Sequence, residues 1–167
     1  SICFSHANQP RKKRQDDSPS LLSIKASLTY YQVTLGEDIK FTEHRRVASE
    51  TEAGIWLQKI REGEQVNGKF DILFYRDTGK IIEYWFNGVK TNLPKEASFE
   101  VLETRETKIS VPAGTLDCQY RKIRYPRLDI YSEFWENKGV VPMPGLIKFL
   151  SLQMETLIAY ELISFKK

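Results

Sequence analysis

The residues that most restrict the fold are Asn87-Gly88, set between the apolar-rich run Ile81–Phe86 and the run Val89–Leu93. Both tolerate positive φ, and a two-residue loop with positive φ at both positions is the type I′ turn, whose twist matches that of paired antiparallel strands. The dipeptide therefore folds Val89–Leu93 back on Ile81–Phe86. The preceding segment obeys the same logic. Phe70, Ile72 and Phe74 alternate with Asp71, Leu73 and Tyr75, and Asp77-Thr78-Gly79 supplies turn chemistry before Ile81. A three-stranded meander results.

The same period of two runs through most of the chain. Tyr31, Val33 and Leu35 share one face, and after a turn at Gly36-Glu37 the alternation resumes at Ile39 and Phe41. Strands over Phe99–Val111, Thr115–Tyr125 and Ile130–Glu136 are separated by Pro112-Ala113-Gly114 and Pro126-Arg127. In the middle one the apolar parity switches from Leu116, Cys118 and Tyr120 to Ile123 and Tyr125, which predicts a one-residue bulge near Arg121-Lys122. Leu146–Phe165 reads as two buried strands turning near Gln153-Met154-Glu155.

Two stretches admit a second reading. Ala53, Trp56, Leu57 and Ile60 lie at helical spacing, with Ser49 and Glu52 as a capping box. Gly54 costs such a helix about 1 kcal/mol relative to Ala, and a turn over Ser49–Gly54 feeding a strand Ile55–Ile60 suits the meander on both sides. The strand is preferred there, and Leu146–Leu157 carries the same pair of readings. The fold class expected is mainly β: a single domain, a curved antiparallel sheet or incomplete β-barrel, with at most one or two short helices.

The 167 residues suit one domain with one core. Positions 1–20 hold Arg11, Lys12, Lys13 and Arg14 in a row, two prolines and few periodic apolar residues, and read as a flexible basic arm in front of a domain over 21–167. The arm carries four basic and two acidic residues of the chain's 25 and 22, which leaves 21 and 20 in the body. A nearly neutral body argues against a nucleic-acid-binding face. No apolar run reaches the roughly 18 residues of a membrane-spanning helix. The start at Ser1 reads as a processed or truncated end, so that the missing export signal says nothing about compartment.

Few residues invite chemistry. His44 is the body's lone histidine, and it reads as a strand side chain at a surface or sheet edge, with no nucleophile elbow or orienting acid marked out. Cys118 alternates with Leu116 and Tyr120, which puts it on an apolar face as a small hydrophobe. A bridge from Cys3 to Cys118 would tie the arm to the body, and two cysteines make neither a disulfide framework nor a zinc site. Acidic pairs such as Glu50 and Glu52, or Glu103 and Glu106, are commonplace on a solvated sheet face. The expectation is no catalytic residue, no metal and no cofactor. What stands out is aromatic surplus. Tyr84-Trp85-Phe86 in a strand must send rings to both sheet faces, and these three with Trp135 are the candidate ligand- or partner-binding residues. The candidate structural turns are Asn87, Gly88, Pro112, Gly114, Pro144 and Gly145.

Two segments carry a family resemblance. They are Val111-Pro112-Ala113-Gly114-Thr115-Leu116-Asp117-Cys118, and Phe134-Trp135 through Val141-Pro142-Met143-Pro144-Gly145-Leu146-Ile147-Lys148. Together with Glu161-Leu162 in a closing strand, they resemble β-rich envelope proteins of bacteria of the DUF3108 and lipoprotein-carrier (LolA/LolB-like) type, over residues 100–165. The resemblance implies export, a curved or incomplete barrel, and a place in the periplasm or on the periplasmic face of the outer membrane. It brings no catalytic residue. The function expected is a non-enzymatic envelope protein that binds an apolar ligand or a protein partner through a curved sheet. The rival is a structural subunit of an envelope assembly, docked on an acidic neighbour through Arg11–Arg14. Membrane anchoring through a lipidated Cys3 is a further reading, although a mature lipoprotein begins at its cysteine and Ser1-Ile2 precede this one.

Overall fold

A computed structural model describes residues 28–141 and 145–166. The expectations placed on Cys3, on Arg11, Lys12, Lys13 and Arg14, and on Pro144 lie outside these described residues. Eleven strands follow one another: β1 (Leu28–Leu35), β2 (Ile39–Glu50), β3 (Gly54–Glu62), β4 (Gly68–Tyr75), β5 (Ile81–Phe86), β6 (Val89–Thr91), β7 (Glu100–Val111), β8 (Gly114–Tyr125), β9 (Ile130–Glu136), β10 (Leu146–Gln153) and β11 (Thr156–Lys166). All pair antiparallel in one sheet of order β6-β5-β4-β3-β2-β1-β11-β10-β9-β8-β7. No helix occurs among the described residues.

The residues with two readings resolve as strands. Residues 54–62 pair with β2 on one side and β4 on the other, and Leu146–Gln153 lies between β9 and β11. Gly54 opens β3 because a Cβ there would sit 2.0 Å from the Phe74 carbonyl oxygen. Asn87 and Gly88 take φ of 48° and 80°, the type I′ pair that closes β5 onto β6. The predicted bulge lies elsewhere. β8 pairs with β9 without interruption from Gln119 to Tyr125, and the extra residue is Leu102 of β7, where the register shifts between Val101 and Glu103. The parity switch in β8 is real because both of its faces pack. Cys118 and Ile123 have opposite parity on β8 and both are buried, Cys118 in the cluster that also holds Tyr31, Val33, Phe41, Val141 and Ile147.

The connectivity forces the sheet to curl. β6 and β7 are its two outer edges, yet they are consecutive in sequence. From Thr91 to Glu100 the chain has nine Cα steps, a reach of about 32 Å at most, while ten strand spacings across a flat sheet measure about 48 Å. The order therefore fits a sheet bent toward a barrel whose last seam, between β6 and β7, is not hydrogen-bonded. Alternation then sorts the residues. Tyr31, Val33, Phe41, Leu57, Ile72 and Ile123 point inward and are buried. The Tyr31 hydroxyl donates to the Leu146 carbonyl at 2.7 Å, and the Ala113 amide at the β7–β8 tip donates to the Leu162 carbonyl at 3.2 Å.

Candidate functional site

The inward face of β2 and β3 is not apolar throughout. Counting in twos from Ile39 and Phe41 brings Glu43 and Arg45 inside, and the register of β3 sets Arg61 opposite Glu43 and Lys59 opposite Arg45. The Glu43 side chain has no exposed surface, and both of its oxygens are taken. Arg45 donates from Nε to Oε2 at 2.7 Å, and Arg61 donates from Nε to Oε1 at 2.8 Å. Arg61 also reaches the Tyr160 hydroxyl of β11 at 3.3 Å, and the Arg45 guanidinium lies 4.7 Å over the Tyr31 ring. One carboxylate thus serves two guanidinium groups.

Burial by itself would raise the Glu43 pKa, but Arg45, Lys59 and Arg61 outweigh it and hold the carboxyl below its ordinary range. Burial likewise opposes the charge on Arg45, and Glu43 overcomes it. Lys59 fares differently. Burial, then Arg45 directly across the strand pair, drive its pKa down to about 7, and the opposing pull of Glu43 offsets only part of this. No carboxylate lies within 4 Å of its amine among the described residues.

This cluster forms one side of a cavity of about 470 Å³. Arg45 and Lys59 face Arg121 of β8, Phe134 of β9, Phe149 of β10 and Tyr160 of β11 across it. β3 and β8 are six strand spacings apart in the sheet order, about 29 Å if the sheet were flat; their meeting around one cavity reflects the curl. Arg121 is answered by Glu136 at 3.2 Å, and its guanidinium lies 4.8 Å over Phe134. Phe134 and Phe149, their centroids 5.0 Å apart, also wall a wider groove of about 1200 Å³ that runs past Tyr125 and Ile130 to Phe99. The interior is therefore charged on the β2–β3 side and aromatic on the β9–β10 side.

The four aromatics expected from the sequence are divided by the sheet. Tyr84 and Phe86 lie on the inner face near its β6 edge, where both rings meet Phe70. Trp85 and Trp135 lie on the outer face. The Trp85 indole donates to Glu83 at 3.0 Å, and Trp135 packs on Tyr120 with centroids 5.0 Å apart. None of the four lines the 470 Å³ cavity. Gly114 (φ 132°) and Gly145 (φ 80°) occupy the conformations expected of turns, and Pro112 begins the two-residue β7–β8 turn. His44 is on the outer face of β2, an interior strand rather than an edge, stacked on Tyr30 at 5.6 Å. Cys118 is buried, and burial followed by Asp117 pushes its thiol up to about 11, which removes thiolate chemistry.

The residues that sequence reasoning missed are Glu43, Arg45, Lys59 and Arg61. The signal was present. Parity from Ile39 and Phe41 leads straight to Glu43 and Arg45, but the alternation expected from the sequence ends at Phe41.

No family model and no curated protein matches the chain, so the resemblance over residues 100–165 is one of turn and packing residues alone. Among solved structures, a Bacteroides fragilis protein of YmcC-like fold, inferred to be exported, overlaps 86% of this chain and 97% of its own with a TM-score of 0.47 and 12% identity. That overlap is too loose to transfer a function. The class the fold and cavity define is an open, curled antiparallel sheet with a ligand-sized interior.

Proposed function

We propose that this chain is a non-enzymatic ligand-binding protein of the bacterial envelope whose curled sheet holds a small, largely apolar molecule. The observation that carries the reading is the interior itself. A cavity of about 470 Å³ walled by Phe134, Phe149, Ile158 and Tyr160 falls within the size range and apolar character of ordinary ligand pockets. The envelope location rests on the resemblance of residues 111–118 and 134–148 to exported β-rich proteins. The absence of enzymatic activity rests on the chemistry of the site. No residue lining the cavity pairs a nucleophile with a base: Lys59, whose lowered pKa makes its amine nucleophilic, has no carboxylate within 4 Å to move a proton.

The test is titration with a neutral apolar fluorophore, N-phenylnaphthylamine. Saturable binding at micromolar concentrations, about −8 kcal/mol, is expected, with no dependence on salt. Ile158→Trp, which fills the cavity, should weaken it at least tenfold. No saturable binding, or full binding to the filled variant, would remove the interior as a ligand site. A salt-sensitive association that is lost when Arg11–Arg14 are neutralised would favour the assembly role instead.

A further inference from the structure

Resting on the reading of the interior as a ligand site, we infer that the molecule it takes is an amphipathic anion, whose carboxylate or phosphate sits against Lys59 and Arg45 while its apolar chain lies along Phe134 and Phe149. The inner face brings Arg45, Arg61 and Lys59 together around a single carboxylate, Glu43, and Arg121 is already matched by Glu136. Glu43 spends Oε2 on Arg45 and Oε1 on Arg61. The three cations exceed the one carboxylate by two charges, and Lys59 is the cation left without a partner.

Position adds to the count. Lys59 and Arg45 are directly cross-strand, and like charges in that relation repel. Charges drawn out of water are ordinarily paired, and here the half-buried Lys59 has no hydrogen-bond or ion-pair partner for its amine among the described residues while its side chain lines the cavity. The wall facing it carries aromatic rings, with no further acid beyond the paired Glu136. A group that satisfies this geometry is negative at one end and apolar beyond it. The tail has room to continue, because Phe134 and Phe149 border both the cavity and the 1200 Å³ groove.

The groups facing Lys59 are Tyr31 on β1, Glu43 and Arg45 on β2, Arg61 on its own strand, Arg121 on β8, Glu136 on β9 and Tyr160 on β11. An arriving anion would favour the charged lysine, so binding near pH 7 to 8 should take up a proton.

Calorimetry with octanoate, octyl phosphate and octanol separates the ideas, each run on the wild type, Lys59→Met and Lys59→Arg. One of the two anions should bind the wild type at least tenfold more tightly than octanol, and the preferred one assigns the headgroup as carboxylate or phosphate. Lys59→Met should lose that preference while still binding octanol, and Lys59→Arg should retain it. Equal affinity of anions and alcohol for the wild type, or an anion preference that survives in Lys59→Met, would overturn the headgroup assignment and leave the apolar site standing. Failure of all three to bind would overturn both.

Discussion

The two walls of the interior solve the same problem in opposite ways. Across the cavity, β9 and β10 present Phe134 and Phe149 in edge-tilted contact above a buried Ser132–Ser151 hydrogen bond of 2.9 Å, a wall with almost no charge to satisfy. β2 and β3 present Glu43, Arg45, Lys59 and Arg61. The first wall stabilises by burying apolar area, and its polar atoms are paired with one another. The second is held by geometry, since two guanidinium groups must reach one carboxylate at 2.7 and 2.8 Å to offset its desolvation. A wall of the first kind suffices for folding. The second kind, with a lysine left over, is a costly arrangement that makes sense for a site.

The comparison can be broken most forcefully at Glu43. Glu43→Ala leaves the buried Arg45 and the half-buried Arg61 without a counter-charge and should cost about 3 kcal/mol, read as a shift in the urea midpoint. A loss under 1 kcal/mol would mean that the cluster is solvated and the wall is ordinary surface. On the opposite side, Phe149→Ala should cost about 2 kcal/mol, less than for a fully enclosed ring because Phe149 already borders the cavity. It should also widen the site for apolar probes. A larger loss there than at Glu43 would reverse the ranking of the two walls.

Lys59→Met sharpens the contrast with a change of opposite sign. Replacing this half-buried, unpaired cation by an apolar chain of similar length should stabilise the empty protein by about 1 kcal/mol at neutral pH. The pH dependence follows from the shift. Between about 7 and 10.5 the unfolded chain holds a proton on Lys59 that the folded chain has released, so wild-type stability should rise with pH through that window. Near 10 the rise should be opposed, because Tyr31 and Tyr160 keep their protons in the fold above the ordinary tyrosine value. Lys59→Met should flatten the rise, as measured by denaturation at pH 7, 8 and 9. An identical slope in wild type and variant would show that Lys59 is not what titrates.

The legibility of the sequence follows the same division. Strands whose inner residues are apolar were readable from period two, and Ile130–Glu136 is found with the boundaries expected. Asn87-Gly88 announced its turn because the residues themselves tolerate positive φ. Met154-Glu155 makes a turn with φ of 48° and 67°, yet neither residue advertises it, and its place was inferred from the apolar runs on either side. The bulge was expected in β8 and lies at Leu102 in β7, since a parity switch can also mean that both faces of a strand are covered. The site was the least legible part. Glu43, Arg45, Lys59 and Arg61 look like solvent-facing charges until the register places them inside. Trp85 and Trp135, expected as binding residues, lie on the sheet face opposite Glu43 and Lys59, and Trp135 packs against the core there.

An unpaired cation inside the curl can be read by nitrogen-detected NMR of the Lys59 side chain. Half-protonation near pH 7 is expected in the empty protein, with a rise toward the ordinary value of 10.5 once octanoate or octyl phosphate is bound. A Lys59 that titrates near 10.5 with no ligand present would place its amine in water and leave the curl without an unpaired cation.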